Sequence, residues 1–165
     1  MVIGGLAILA FGRPRFTQDA GLKVLLSRDE APRLIAALPK EYKYLAASPE
    51  ETLRQLGFVF VQDPSGVRID LLLAETGFDA QAMTSAREVE VLPGIIMTTC
   101  SPEDLIIYKM ISTRARDHDD VPGIIRRQRN TLDHKYIIDW LRQFEQALDD
   151  YTLVQFYQQM RQAGS

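Results

Sequence analysis

The segment that decides the fold is residues 3–22, which read IGGLAILAFGRPRFTQDAGL. Its apolar start runs into Gly4 and Gly5, and a short apolar helix is predicted over residues 6–11. Glycines let the backbone approach a ligand closely, and the unpaired N–H groups at a helix start favour an anion. Asp19 stands where the next strand is expected to begin, which places its carboxylate at the same crevice. The segment therefore predicts a site for a nucleoside triphosphate and its metal ion.

The rest of the chain predicts a mixed α/β sheet unit over residues 1–100 and a helical extension over residues 101–165 that packs on it as one compact unit. Asp70 lies midway along an apolar strand of a predicted hairpin, where its carboxylate must face a metal ion, a cationic partner or water because burying it alone is costly. Strands are expected at 1–3, 22–26, 58–61, 67–73, 89–92 and 95–98. Helices are expected at 29–38, 49–57 and 78–86 and from residue 102 onwards. After a break over 117–123, three more helices are expected at 124–130, 134–148 and 150–162.

Composition limits the classes of protein to which the chain can belong. Its 165 residues, 46% of them hydrophobic, suffice for one core, and a net charge of −3 gives no general attraction to nucleic acid or to an anionic membrane. The single cysteine, Cys100, excludes an internal disulfide and fits a reducing cytosol. Residues 1–11 are too short to span a bilayer, and the glycine pair and Arg13 argue against an export signal. We expect a cytoplasmic protein that makes no membrane contact.

The pattern of glycines and acids resembles the nucleotidyltransferase superfamily that includes the minimal nucleotidyltransferases and the AbiEii-type toxins. The signature of that superfamily is a pair of small residues, then an aspartate-apolar-aspartate strand about a dozen residues later, and a third aspartate on a later strand. Gly4 and Gly5 match the pair, Asp19 matches the first acid and Asp70 matches the third. The second metal-binding acid is replaced by Gly21. The resemblance implies an α/β (α+β) nucleotidyltransferase-like sheet flanked by helices.

A second part of the resemblance lies on the helices. Residues 101–109 and 114–120 are similar to the helical part of the family, so the resemblance covers most of residues 1–145. It implies that Lys109 neutralises the nucleotide phosphates. It also implies that Asp117 and Asp120 reach the site from the helical side.

The resemblance also implies a metal and a substrate. Asp19 and Asp70 would hold Mg²⁺, and Gly4 and Gly5 would cradle the phosphates of a nucleoside triphosphate. Gly21 supplies no side-chain oxygen, so a second ion would lose a ligand and be held poorly. We therefore expect nucleotide binding to be retained or weakened and transfer to be impaired.

Each of these side chains also has an ordinary structural interpretation. Asp70 can pair with Arg68 or another cation, Asp19 can be an exposed acid at a strand end, and Lys109 can be a helix lysine in water. Thr17 either binds phosphate or, as we prefer, caps its own turn. These alternatives stay open at the level of sequence.

The basic residues have two interpretations of the same kind. Arg13 and Arg15 are either solvated loop charges or phosphate contacts. Asp117 and Asp120 can cap a helix or pair with neighbouring arginines. A further group of basic residues either forms a solvated helical face, which we favour, or a surface that guides an RNA acceptor such as tRNA. The group consists of Arg114, Arg116, Arg126, Arg127, Arg129 and Lys135.

Three functions follow from these observations. In the first, the protein transfers a nucleoside monophosphate from a nucleoside triphosphate to a hydroxyl of RNA, protein or a small molecule. In the second, Gly21 has removed catalysis and the same fold serves as a nucleotide-binding or toxin–antitoxin module, with an antitoxin or a second copy of the chain as partner. In the third and weakest, the chain is a structural fragment that binds no ligand.

Overall fold

A computed structural model describes residues 1–164 and shows one mixed sheet in that range. The strand order is β3-β4-β5-β2-β1-β7-β6. Strand β1 pairs antiparallel with β2 and parallel with β7, while β2 pairs parallel with β5. The mixed α/β class is therefore confirmed. The strands are β1 (Val2–Ile3), β2 (Asp19–Val24), β3 (Lys43–Tyr44), β4 (Phe58–Gln62), β5 (Arg68–Leu73), β6 (Arg87–Leu92) and β7 (Ile95–Thr99).

The helices connect these strands and then continue alone after the last strand. In the described range they are α1 (Gly4–Phe11), α2 (Ala31–Ala37), α3 (Pro49–Leu56), α4 (Gly77–Thr84), α5 (Pro102–Met110), α6 (Ala115–Gln128), α7 (His134–Leu148) and α8 (Leu153–Gly164). None of the helices within residues 1–164 has both the length and the apolar composition needed to cross a bilayer. The final residue of the predicted 101–165 extension lies outside the described range.

Two clusters of buried apolar side chains hold the elements together. One joins α1 to the helical extension, with Ile8 in the same cluster as Leu105, Ile124 and Leu141. The other lies between α2, α3 and the strands β4 and β5. Because α1, which begins at the glycine pair, shares its core with α5, α6 and α7, the two predicted parts of the chain are packed against each other.

The pairing of β2 with β5 places the two predicted metal ligands on one side of the sheet. Asp19 lies opposite Arg68 and Gly21 lies opposite Asp70 in this parallel register. Side chains alternate between the faces of a strand, so Asp19 and Gly21 share a face, as do Arg68 and Asp70. The carboxylates therefore approach each other across neighbouring strands.

Two of the predicted helical segments differ from the structure. The helix expected over residues 29–38 is a 3₁₀ turn over Arg28–Glu30 followed by α2, whose second residue, Pro32, lacks the N–H needed to continue an α-helical ladder from the turn. The break expected over residues 117–123 is absent, because α6 runs through Pro122 with its apolar side chains buried in the core. Tertiary packing outweighs the local preference of proline there.

Candidate functional site

A cavity of about 560 Å³ opens at the start of α1, between β2, β5 and the segment that joins α5 to α6. Most of the site residues that were predicted from the sequence line this cavity, although they come from four separate segments of the chain. Those that line it are Gly4, Gly5, Arg15, Thr17, Asp19, Asp70, Lys109 and Asp117.

Two of the predicted residues lie beside the cavity instead of lining it. Arg13 lines a neighbouring cavity of about 460 Å³ together with Asp120 and Arg126. Asp120 still contributes to the main site, because its carboxylate accepts hydrogen bonds from Arg15 and Lys109. Arg13 is the one predicted residue for which the described range gives no contact with the main cavity.

The glycine pair is required by the backbone and by packing. Gly4 has φ +66°, in the left-handed region that suits glycine. A Cβ at Gly5 would lie 2.5 Å from Thr17 Oγ1. That hydroxyl donates to Asp19 Oδ1 at 2.8 Å, so Gly5 makes room for a side chain that orients the first acid. The preferred interpretation of Thr17, a contact within its own turn, agrees with this geometry.

Asp19 and Asp70 share one cation, the guanidinium of Arg68. Arg68 Nε donates to Asp70 Oδ1 at 2.7 Å, and Nη2 donates to Asp70 Oδ2 and to Asp19 Oδ2, each at 3.1 Å. Two oxygens that both lie 3.1 Å from one nitrogen are at most 6.2 Å apart. The hydrogen bonds to Asp70 raise the pKa of Arg68 above its already high ordinary value. The structure therefore brings the two predicted acids together around a positive charge.

The donor set suits a single Mg²⁺. Mg²⁺ is commonly held by one or two carboxylates, with waters and substrate phosphates completing its shell, and Asp19 and Asp70 supply such a pair. Gly21 lies opposite Asp70 and lines the cavity without contributing an oxygen. Within residues 1–164 no three acidic, histidine or cysteine side chains gather as a metal site. Arg68 occupies the position between the two carboxylates that would hold the ion.

Lys109 is buried in an ionic network, so its interpretation as a helix lysine in water is wrong. Its side chain is 2% exposed, and Nζ donates to Asp117 Oδ1 at 2.8 Å and to Asp120 Oδ2 at 2.7 Å. Arg15 binds Asp120 through two nitrogens, both at 2.8 Å. Burial pushes the pKa of each carboxyl up, but the bonds from Lys109, Arg15 and Ser112 outweigh it and hold both pKa values below the ordinary range. Asp117 and Asp120 are therefore charged partners of Lys109.

A further buried network at the cavity was not predicted from the sequence. Lys23 pairs with Asp79 at 2.8 Å, and the Tyr108 hydroxyl donates to the same carboxylate oxygen at 2.7 Å. Burial pushes the pKa of Asp79 up, but the bonds from Lys23 and Tyr108 bring it below its ordinary value. One signal was available, because Lys23 follows Asp19 and Gly21 at alternate positions of β2 and so faces the same side.

The cavity also has an aromatic end. Phe78 packs edge-to-face on Tyr108 and on Phe144, with ring centroids 4.9 and 5.4 Å apart, and all three rings line the cavity together with Leu72. Aromatic side chains scattered over three helices show no pattern in the sequence that would reveal this grouping. One end of the cavity is therefore ionic, and the other is aromatic and also holds the Lys23–Asp79 pair.

Two exposed arginines stand at the ionic end. Arg114 and Arg116 both line the cavity, and Arg116 Nη2 donates to the backbone oxygen of Phe16 at 2.8 Å. Among the described residues, neither guanidinium has an acidic side chain within 4 Å, unlike those of Arg15 and Arg68. An anionic ligand in the cavity can therefore reach both of these arginines.

Comparison with known proteins adds little to this geometry. No family model matches the chain, and no curated protein matches it. Among solved structures, the chain is similar to JHP933 from Helicobacter pylori, with a TM-score of 0.49 and 13% identity over 99% of this chain and 84% of that one. The function is therefore inferred from the residues of the site.

Proposed function

We propose that the protein binds a nucleoside triphosphate in the main cavity. The observation that carries the proposal is the convergence of Gly4, Gly5, Asp19 and Asp70 in one cavity that has an ionic end and an aromatic end. A nucleotide has the same division, since its phosphates are anionic and its base is a flat ring. The resemblance of the glycine and aspartate pattern to the nucleotidyltransferase superfamily supports the same ligand.

Each part of the cavity has a role in this proposal. The start of α1 directs backbone N–H groups toward the phosphates, since no side chain caps that end of the helix. Arg114 and Arg116 contact the phosphates from the rim. Asp19 and Asp70 would hold one Mg²⁺, which would neutralise part of the charge of the triphosphate. The rings of Phe78, Tyr108 and Phe144 form the surface for the base.

The proposed reaction is transfer of a nucleoside monophosphate to a hydroxyl of RNA such as tRNA, of a protein or of a small molecule. The acceptor oxygen forms a bond to the α-phosphorus, the bond from that phosphorus to the bridging oxygen breaks, and pyrophosphate leaves. The hydroxyl proton passes to a nearby base or to solvent. Gly21 supplies no carboxylate beside Asp70, so we expect transfer to be slow or absent while binding persists.

A second candidate function is favoured by the same residue. With Gly21 in the sheet and Arg68 between the two acids, the site is better equipped to bind a nucleotide than to transform it. The protein would then act as a cytoplasmic nucleotide sensor or as one member of a toxin–antitoxin pair, bound to an antitoxin or to a second copy of itself.

Gly21→Asp separates the two candidates. A Cβ at this position would lie 3.2 Å from Ile3 Cγ1, so Ile3 must shift by only a few tenths of an ångström, and the backbone is not in the left-handed region. Gly21→Asn, with nearly the same volume and no charge, is the matched control.

The experiment has a binding arm and a transfer arm. Calorimetric titration with each nucleoside triphosphate and Mg²⁺ is expected to show binding to the unaltered chain. Labelled nucleotide transfer is expected to appear or increase in Gly21→Asp and not in Gly21→Asn. Binding without any gain of transfer favours the sensor, and the absence of all nucleotide binding in both chains rejects both candidates.

A further inference from the structure

A positive side chain belonging to the protein itself already lies between Asp19 and Asp70. Arg68 uses three of its five N–H donors on these carboxylates, at 2.7, 3.1 and 3.1 Å. The two donors on Nη1 make no hydrogen bond with residues 1–164, so they remain available for a further acceptor. An arginine is always protonated in a protein, and its charge is therefore permanent.

The fold holds the Arg68 guanidinium beside the two acids in a position from which it can move into solvent. Arg68 opens β5 directly opposite Asp19, and its guanidinium lies 5.1 Å from the centre of the Phe60 ring on the neighbouring strand β4. Its side chain is 41% exposed, whereas that of Asp70 is 13% exposed. The acids are thus held in the wall of the cavity, and the arginine reaches them from a position that is open to solvent.

We infer that Arg68 is an internal cation that competes with divalent metal ions for Asp19 and Asp70 and so decides whether the protein takes up a metal. With Arg68 in place the two carboxylates and the guanidinium carry a net charge of −1, and with Arg68 withdrawn the carboxylates carry −2. A divalent ion is attracted more weakly in the first state. This inference rests on the proposed function only in treating the two acids as a metal site.

A polyphosphate ligand can replace the two carboxylates as the acceptor of the Arg68 hydrogen bonds, and we call this replacement the exchange. Arg68 has a planar fork of donors that matches a phosphate group, so an incoming triphosphate offers it acceptors in place of the carboxylates. Asp19 and Asp70, once Arg68 has left them, would then hold the metal ion that accompanies the triphosphate. Metal uptake is therefore coupled to arrival of the phosphates, and the protein without nucleotide is expected to bind divalent ions weakly.

Mn²⁺ binding to the full chain without nucleotide tests this inference. Mn²⁺ takes the same oxygen ligands as Mg²⁺ and its free fraction is read directly by electron paramagnetic resonance. Arg68→Gln is expected to bind Mn²⁺ about tenfold more tightly than the unaltered chain, because two competing ion pairs are removed. Arg33→Gln removes an exposed arginine whose partner, Glu30, is outside the cavity, and is expected to change nothing.

Two further variants show where the added ion binds. Arg68→Lys keeps the charge but lacks the fork that spans both acids, so its Mn²⁺ affinity is expected to lie between those of the other two chains. Asp19→Asn in the Arg68→Gln background is expected to remove the gain. An unchanged or weaker Mn²⁺ affinity in a folded Arg68→Gln chain overturns the inference, and so does a gain that survives the loss of Asp19.

The unaltered chain provides a readout that does not depend on the stability of a variant. The Nε–H signal of Arg68 in a nitrogen-15 spectrum is expected to shift when a nucleoside triphosphate and Mg²⁺ are added together, and to shift less with Mg²⁺ alone. A signal that stays in place at saturating nucleotide and Mg²⁺ overturns the exchange. If no nucleotide binds while Arg68→Gln still gains Mn²⁺, the proposed function fails and the competition between Arg68 and metal ions stands.

Discussion

Replacing Lys109 with methionine separates a structural role of this lysine from a role at phosphates. Lys109 is 2% exposed and makes two hydrogen bonds to Asp117 and Asp120, whose side chains are 19% and 8% exposed. Methionine has a similar length and no charge, so Lys109→Met leaves two carboxylates in a partly buried site without that partner. Removing one member of a buried ion pair costs about 3–5 kcal/mol.

The low end of that range applies, because Arg15 keeps its two bonds to Asp120 after the substitution. We expect Lys109→Met to lower the free energy of unfolding by about 3 kcal/mol at pH 7. For a chain of this size the melting temperature then falls by roughly 6–12 °C. Urea unfolding followed by circular dichroism measures the first quantity, and calorimetry measures the second. Lys135→Met, at a lysine that is 85% exposed and pairs with Asp139, is the control and is expected to leave stability unchanged.

The effect of pH gives a second test of the same network. The folded pKa values of Asp117 and Asp120 lie below their ordinary values. Their contribution to stability is therefore complete above the ordinary aspartate pKa of about 4 and is lost as pH falls through the lowered folded values. In Lys109→Met the part of that contribution that comes from Lys109 is missing, so the two chains should become more alike in stability below pH ~4.

One result would refute this reasoning. If Lys109→Met unfolds within about 1 kcal/mol of the unaltered chain at pH 7, the buried-pair energy is wrong for this site. If nucleotide binding is lost at the same time, Lys109 acts mainly on the phosphates and the network with Asp117 and Asp120 rearranges when the ligand binds.

Three other predictions concern residues around the cavity and in the core. Gly5→Ala places a Cβ 2.5 Å from Thr17 Oγ1 and should lower the free energy of unfolding, measured in urea, by about 1–3 kcal/mol. The control Gly77→Ala places a Cβ where no atom lies within 4 Å and should not lower it, so equal effects would contradict the packing role of Gly5. Cys100 is fully buried, and burial raises its pKa to about 12. Iodoacetamide at pH 8 should therefore label this thiol only in denaturant, as measured by mass spectrometry, and rapid labelling of the folded chain would argue against a buried thiol. Burial lowers the pKa of His134 below its ordinary value, so the stability that this residue contributes is complete above pH ~6.5 and declines as the pH falls from there. The urea midpoint of His134→Gln should therefore fall less steeply between pH 7 and pH 5 than that of the unaltered chain. The same dependence of the midpoint on pH in both chains would exclude the effect.

Much of the secondary structure was predictable because its signals act over a few residues. Gly57 takes φ +75° directly after α3, and Gly66 takes φ +92° in the turn between β4 and β5, as expected of glycines at a helix end and in a hairpin. Ser101 accepts a hydrogen bond from the backbone of Asp104 at the start of α5, as its position before a proline and two acids indicates. These features require no partner from elsewhere in the chain.

The meeting of the candidate site residues was also predicted, although their bonding partners were left open. Asp19 and Asp70 line one cavity with the glycine pair, as the order of the motif indicated. The sequence left Asp70 with a metal ion, water, or Arg68 or another cation as partner, and the fold places Arg68 against it. Arg114 and Arg116 were assigned to a basic helical face, and the structure places them at the rim of the cavity.

The sequence by itself determined roughly where most strands and helices lie, which turns need glycine, and several of the side chains that line the main cavity. Only the tertiary structure decided which charges pair, because the partners are far apart along the chain: Asp19 and Arg68 are separated by 49 positions, and Arg15 and Asp120 by 105. The register of β2 against β5 sets the first pair, and the packing of α6 beside α1 sets the second. Local propensity extends over a few residues, whereas these contacts depend on the position of every element in between.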